Sequence, residues 1–149
     1  HFSVSTEFIK LAIENYIPDN HRSQIIKKDQ LTIVQDAYNA NPSSMKAALD
    51  NFKKHFSGSK IVALGEMLEL GNASADEHLK VAEEAAALSE ATLLLVGKLF
   101  EAPSKKIKSL HFESSQQCME WLKENKPTTG SILIKGSRGS QMEKLLEAF

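Results

Sequence analysis

The chain of 149 residues has one cysteine, four prolines, few aromatics (7%) and no excess of either charge, with 18 Lys and Arg against 19 Asp and Glu. Each shortage excludes something. A lone cysteine, Cys118, cannot close an internal disulfide, so the chain is not a disulfide scaffold and agrees with a reducing compartment. Balanced charge withholds the long-range field on which non-specific binding to nucleic acid or an anionic membrane depends. Apolar runs such as residues 91–97 stop far short of a bilayer span, and no basic-then-apolar leader opens the chain. The phosphate loop G-x-x-x-x-G-K-[ST] is missing; Ser57-Gly-Ser-Lys60 precedes a strand pattern and has no helix behind it. None of the five histidines (1, 21, 55, 78 and 111) pairs with Cys or carboxylates at metal-ligand spacing. The expectation is a cytoplasmic globular protein without a metal site, with neither nucleic acid nor membrane as partner.

What is present suits a packed core: 42% hydrophobic residues, in a chain of the length of one domain and at most a fragment of a second. Ser5 can cap a helix carrying Ile9, Ala12, Ile13 and Tyr16, which Pro18-Asp19-Asn20 ends. Residues 23–28 and 31–35 read as a hairpin across Lys28-Asp29-Gln30. Asn41 before Pro42 opens a helix with an apolar stripe through Met45, Leu49, Phe52 and Phe56. Further strands fall at 60–64, 92–96, 107–112 and 131–135. Helices are expected behind Ser74 and Glu77, behind Ser114 and Gln117, and behind Ser140 and Glu143; the first and last of these pairs match the capping box. This alternation predicts an α/β fold: a Rossmann-like three-layer sandwich with a mostly parallel sheet of about six strands, an antiparallel N-terminal hairpin and helices on both faces.

Ligands of such sheets bind beyond the carboxyl ends of the strands, here residues 36–41, 65–71, 97–100 and 136–139. Asp36, Asn39 and Asn41 lie between a strand and a helix N-terminus, where they could meet ribose hydroxyls or an anion; they are equally ordinary turn and cap residues. Gly136-Ser-Arg-Gly139 could hold a carboxylate or phosphate through its amides, Ser137, Arg138 and Lys135, or could simply make a tight turn. In that turn Gly139 is expected at a left-handed or close-approach position. Glu66 and Glu69 sit in an oddly apolar loop that packs either on its own sheet or on a partner domain. His78 reads as a helix-face residue and Cys118 as packing.

Three strings together are more specific. Asp36-Ala-Tyr-Asn-Ala-Asn-Pro-Ser-Ser-Met45, then Leu64-Gly-Glu-Met-Leu-Glu-Leu-Gly71 with Ser74 and His78, then Lys135-Gly-Ser-Arg-Gly139 with Met142-Glu143, occur in order and at the spacing of the Mur ligase family. They resemble the C-terminal domain of the branch that adds D-alanyl-D-alanine to UDP-MurNAc-tripeptide, and the resemblance covers essentially the whole chain. It implies that residues 1–17 end a central ATP-binding domain and its linker, and that residues 18–149 are the C-terminal domain. It implies a bacterial, ATP-dependent amide ligase of peptidoglycan synthesis, in which ATP phosphorylates the tripeptide carboxylate and the dipeptide amine attacks the acyl phosphate. The phosphate loop and the Mg2+ ligands would belong to the central domain and the UDP-sugar to the N-terminal one, leaving no catalytic residue here and a lid-like domain that closes over ATP. Residue by residue, Arg22 is similar to an arginine reaching the ATP phosphates and Asp36 to the acidic residue near the ribose, with Asn39 and Asn41 shaping that loop. Ser137, Arg138 and Glu66 lie on the side of the incoming dipeptide; Glu66 stands where the family more often has Asp. Asp36 is expected to face solvent and to support the core little. The alternatives are another Mur-type ligase adding a single amino acid, and a non-catalytic nucleotide- or peptide-binding module.

Overall fold

The computed structural model describes residues 5–14 and 24–149. Helix α1 (Thr6–Glu14) begins as expected, with Ser5 Oγ accepting the Phe8 N–H at 3.4 Å. The hairpin follows as β1 (Gln24–Lys28) and β2 (Gln30–Asp36), paired antiparallel with Lys28 opposite Leu31 and Asp29 at φ 52° in the turn. Then come α2 (Pro42–His55), β3 (Lys60–Gly65), α3 (Ser74–Ala86), β4 (Ala91–Val96), a short α4 (Glu101–Ser104), β5 (Leu110–Phe112), α5 (Ser115–Glu124) and β6 (Thr129–Lys135). The chain closes on 3-10 turns at Arg138–Ser140 and Met142–Ala148.

The six strands order as β1-β2-β6-β3-β4-β5, parallel throughout except for the hairpin. Residues 132–134, 62–64 and 93–96 are buried on both faces, the near-continuous apolar runs that a covered parallel sheet demands. One face packs on α2 and α3 through Met45, Leu49, Phe52, Val81, Ala82, Ala85 and Phe100. The other packs on α5 and the last 3-10 turn through Cys118, Met119, Leu122, Met142 and Leu145. The three-layer expectation therefore holds. Burial pushes the Cys118 thiol up to about 12, so it packs as an inert apolar group.

Several local expectations need correction. Ser74 does not cap α3: a 3-10 turn (Gly71–Ala73) leads directly into the helix, no side chain caps it, and Glu77 instead pairs with Lys80 at 2.7 Å. Ser140 caps nothing either. Its hydroxyl donates to the Ser137 carbonyl (2.6 Å), and the last segment is 3-10 rather than α-helical, entered through Gln141 at φ 50°. The left-handed residue of that turn is thus Gln141 and not Gly139. Residues 98–104, expected as a strand end only at 97–100 and assigned no element beyond, form a 3-10 turn and α4 that bury Phe100 and Pro103. The strand expected at 107–112 shrinks to Leu110–Phe112.

Candidate functional site

Strand β6 lies between β2 and β3, and the three carboxyl ends part company there. The chain leaves β2 and β3 toward the face of α2 and α3, and leaves β6 toward the opposite face. Strand ends from which the chain departs to opposite faces are where an open α/β sheet usually places its ligand crevice. Register sets Asp36 beside Lys135 as the last pair between β2 and β6.

That pair is an ion pair. Lys135 continues the buried run of β6 and is 1% exposed, yet its Nζ reaches Asp36 Oδ2 at 2.5 Å and the Asn39 carbonyl at 3.2 Å. A buried ammonium requires such partners, because desolvation without them costs several kcal/mol, on the order of 3–5 when one partner of a buried pair is lost. Asp36 is therefore not a merely solvent-facing carboxylate: at 22% exposure it keeps one edge toward the crevice while neutralising the core lysine. It also lines a groove of about 490 Å3 together with Val34, Leu133, Phe52 and Phe56. Lys135 carries more of the site than the glycine-rich turn suggested. Its signal in the sequence was a lysine directly following three buried strand residues.

Asn41 resolves to its cap role. Its Oδ1 accepts the Ser44 N–H (2.9 Å) and the Ser43 hydroxyl (2.8 Å), and Ser44 Oγ in turn accepts the Asn41 N–H, a complete capping box in front of Pro42. Asn39 contributes its backbone carbonyl to Lys135 and has an exposed side chain. Arg22 lies outside the described residues.

The β6 turn is joined to the β3 loop. Ser137 is buried; its N–H donates to the Glu66 carbonyl (3.0 Å), and its Oγ accepts the Leu68 N–H (3.0 Å) and lies 3.5 Å from the Ala40 carbonyl. Arg138 is exposed, with its guanidinium 5.9 Å from the centre of the Tyr38 ring, so the turns after β2 and β6 meet through a cation–π contact. Glu66 turns away from Ser137: its Oε1 accepts the Leu99 N–H at 2.8 Å, which starts the unexpected 3-10 turn (Lys98–Phe100) and seats the carboxylate against Gly97. The structure thus brings Asp36, Asn39, Asn41, Glu66, Ser137 and Arg138 to one end of the sheet.

His78, expected on a helix face and quoted with the β3 loop string, belongs to this region too. It is buried on α3, with its ring edge-on to Phe100 and its Nε2 accepting the Met67 N–H at 3.0 Å. Burial holds its pKa below the ordinary value, against the opposing pull of the Ser74 carbonyl and the Glu66 charge. Its spacing with Val81, Ala82 and Ala85 would have placed it on the buried face of the helix. Among the described residues, no group of three or more His, Cys, Asp or Glu side chains could hold a metal ion, and no helix is long and apolar enough to cross a membrane.

Residues 21–138 match the family described as Mur ligase, glutamate ligase domain. The UDP-N-acetylmuramoyl-tripeptide–D-alanyl-D-alanine ligase of Bacillus subtilis (strain 168) is 30% identical over 99% of this chain and 34% of its own length. The enzyme of that name from Treponema pallidum (strain Nichols) is 33% identical over 93% of the chain and 32% of its own length. The chain therefore spans about a third of the curated relatives it matches. A crystal structure of MurF from Acinetobacter baumannii superposes with a TM-score of 0.84 at 29% identity, covering 97% of this chain and 33% of that one. A murein peptide ligase from Psychrobacter arcticus shares the fold at 15% identity and TM-score 0.62, covering 98% of this chain and 33% of that one.

Proposed function

The chain belongs to the Mur ligase family, and from that membership we propose that it is the C-terminal domain of an ATP-dependent amide ligase that adds D-alanyl-D-alanine to UDP-MurNAc-tripeptide. The observation that carries this choice is that relatives named for that reaction match nearly the whole chain at 30–33% identity. On this reading residues 1–17 end the central domain, residues 18–149 form the closing domain, and the full ligase works in the bacterial cytoplasm.

ATP supplies the phosphoryl group that activates the tripeptide carboxylate. The carboxylate of Asp36 at the crevice fits a ribose diol, which presents two hydroxyl donors, and the fixed ion pair with Lys135 holds it ready. On this reading the phosphate chain and Mg2+ fall to the central domain, with Arg22 as the contribution of this chain toward the phosphates. Asn41 and Asn39 hold the loop that presents Asp36. Ser137 anchors the turn on which Arg138 faces outward, in position to meet the carboxylate of an incoming dipeptide, and Glu66 braces the neighbouring loop. Closure over the central domain completes the site and excludes water.

The test is phosphate release by the full-length ligase carrying this domain, with ATP, UDP-MurNAc-tripeptide and one amine at a time. Turnover with D-alanyl-D-alanine and none with glutamate or alanine is expected, and the 149-residue chain alone should show none. Turnover with a single amino acid would transfer the chain to another Mur-type ligase; nucleotide binding without phosphate release by the full-length protein would make it a binding module.

A further inference from the structure

The loop joining β3 to α3 is held from two sides by consecutive amides. The Met67 N–H donates to His78 Nε2 at 3.0 Å, and the Leu68 N–H donates to Ser137 Oγ at 3.0 Å. We propose that His78 is a positioning residue for the crevice: its neutral imidazole fixes the backbone of residues 67–68 and, through it, the turn bearing Ser137 and Arg138. The proposal rests on the reading that this turn meets the incoming dipeptide.

The hydrogen bonds determine the tautomer. An amide N–H can donate only to an unprotonated ring nitrogen, so Nε2 is bare and the proton sits on Nδ1. Nδ1 donates to the Ser74 carbonyl at 2.7 Å, with Ser74 Oγ 3.3 Å away, which pins the ring to the first turn of α3. The ring is wholly buried and packs edge-on against Phe100, centroids 4.7 Å apart. Burial disfavours the charged form, so the acceptor is retained near neutral pH.

Two features of the loop show that it is held in a defined shape. Glu69 has φ 80°, a conformation that side-chain-bearing residues seldom adopt and that persists only where its surroundings over-determine it. Leu68 lies directly over the turn: a Cβ on Gly139 would come within 2.5 Å of its Cδ1. With the Ser137 N–H bound to the Glu66 carbonyl, the β3 loop is the platform on which the β6 turn rests, and His78 is the one group that ties that platform to a helix by a side-chain hydrogen bond among the described residues. A purely space-filling residue would have no need to accept this amide.

The experiment compares His78→Leu and His78→Gln in the full-length ligase. Loss of the acceptor in His78→Leu should raise KM for D-alanyl-D-alanine roughly tenfold and leave KM for ATP unchanged, and His78→Gln, whose amide oxygen can accept the same N–H, should recover much of the difference. Hydrogen exchange adds a readout independent of activity: amides 67, 68 and 137–140 should exchange faster in His78→Leu while those of the β1–β2 hairpin keep their rates. Equal changes in both KM values, no change in either, or uniformly faster exchange would reduce His78 to a core residue and overturn the proposal. Absence of ligase activity in the unsubstituted enzyme would instead remove the functional reading, and the exchange data alone would then decide whether His78 positions the turn.

Discussion

Strand β6 meets the crevice along two seams of opposite character. Toward β2 the contact is ionic, with a buried lysine against a partly exposed carboxylate. Toward β3 it is neutral, made of amide hydrogen bonds to Ser137 and to the Glu66 carbonyl, on a loop that His78 ties to α3. The ionic seam ties folding to the residue proposed to meet the nucleotide, because Lys135 tolerates burial only while Asp36 accepts from it. The neutral seam separates the two tasks. Its geometry is set by His78 from inside the protein, and Arg138 stays exposed and unencumbered by folding duties beyond its contact with Tyr38.

The largest test of this contrast is Asp36→Ala. It should cost about 3–5 kcal/mol in urea unfolding, because a buried ammonium loses its counter-ion, and in the full-length ligase it should lower kcat/KM for ATP roughly ten- to a hundredfold. Adding Lys135→Met should return most of the stability and none of the ATP dependence. Unchanged stability in the single variant would show that the ionic seam is not what supports β6.

On the neutral side, Gly97→Ala comes next. Gly97 has φ 107°, and a Cβ there would lie 2.3 Å from the Glu66 carboxyl carbon. Backbone strain of about 1–3 kcal/mol is expected, with displacement of Glu66 from the Leu99 N–H, visible as a lower melting temperature and faster exchange at residue 99. A variant as stable as the parent would mean that Glu66 does not brace this loop. The smallest effect belongs to Gly139→Ala. Its backbone is not left-handed and its would-be Cβ meets only the mobile end of Leu68, so the cost should stay below about 1 kcal/mol. A larger loss in thermal unfolding would show that Leu68 cannot yield and that the platform is stiffer than the packing of one methyl group implies.

The order of the six strands and of α1, α2, α3 and α5, both apolar faces and the caps Ser5, Asn41 and Ser114 were legible in the sequence because each is a local matter. Apolar spacing selects strand or helix within a few residues, and the amides those caps satisfy lie three positions away. The motif strings likewise brought Asp36, Ser137 and Arg138 to one end of the sheet. Tertiary structure decided the rest, wherever a polar group had a distant competitor for its hydrogen bond. Ser74 and Ser140 carry the same local signal as a true cap, yet one hydroxyl lies against His78 and the other is taken by the Ser137 carbonyl. The turn at residues 98–100 exists because Glu66, 33 residues earlier, accepts its amide, and Asp36 became a structural residue only when folding delivered Lys135 from 99 residues away. Sequence spacing shows which groups need partners, and the fold alone determines which partner arrives, because a buried charge or amide binds whatever the packed strands and loops place within about 3 Å.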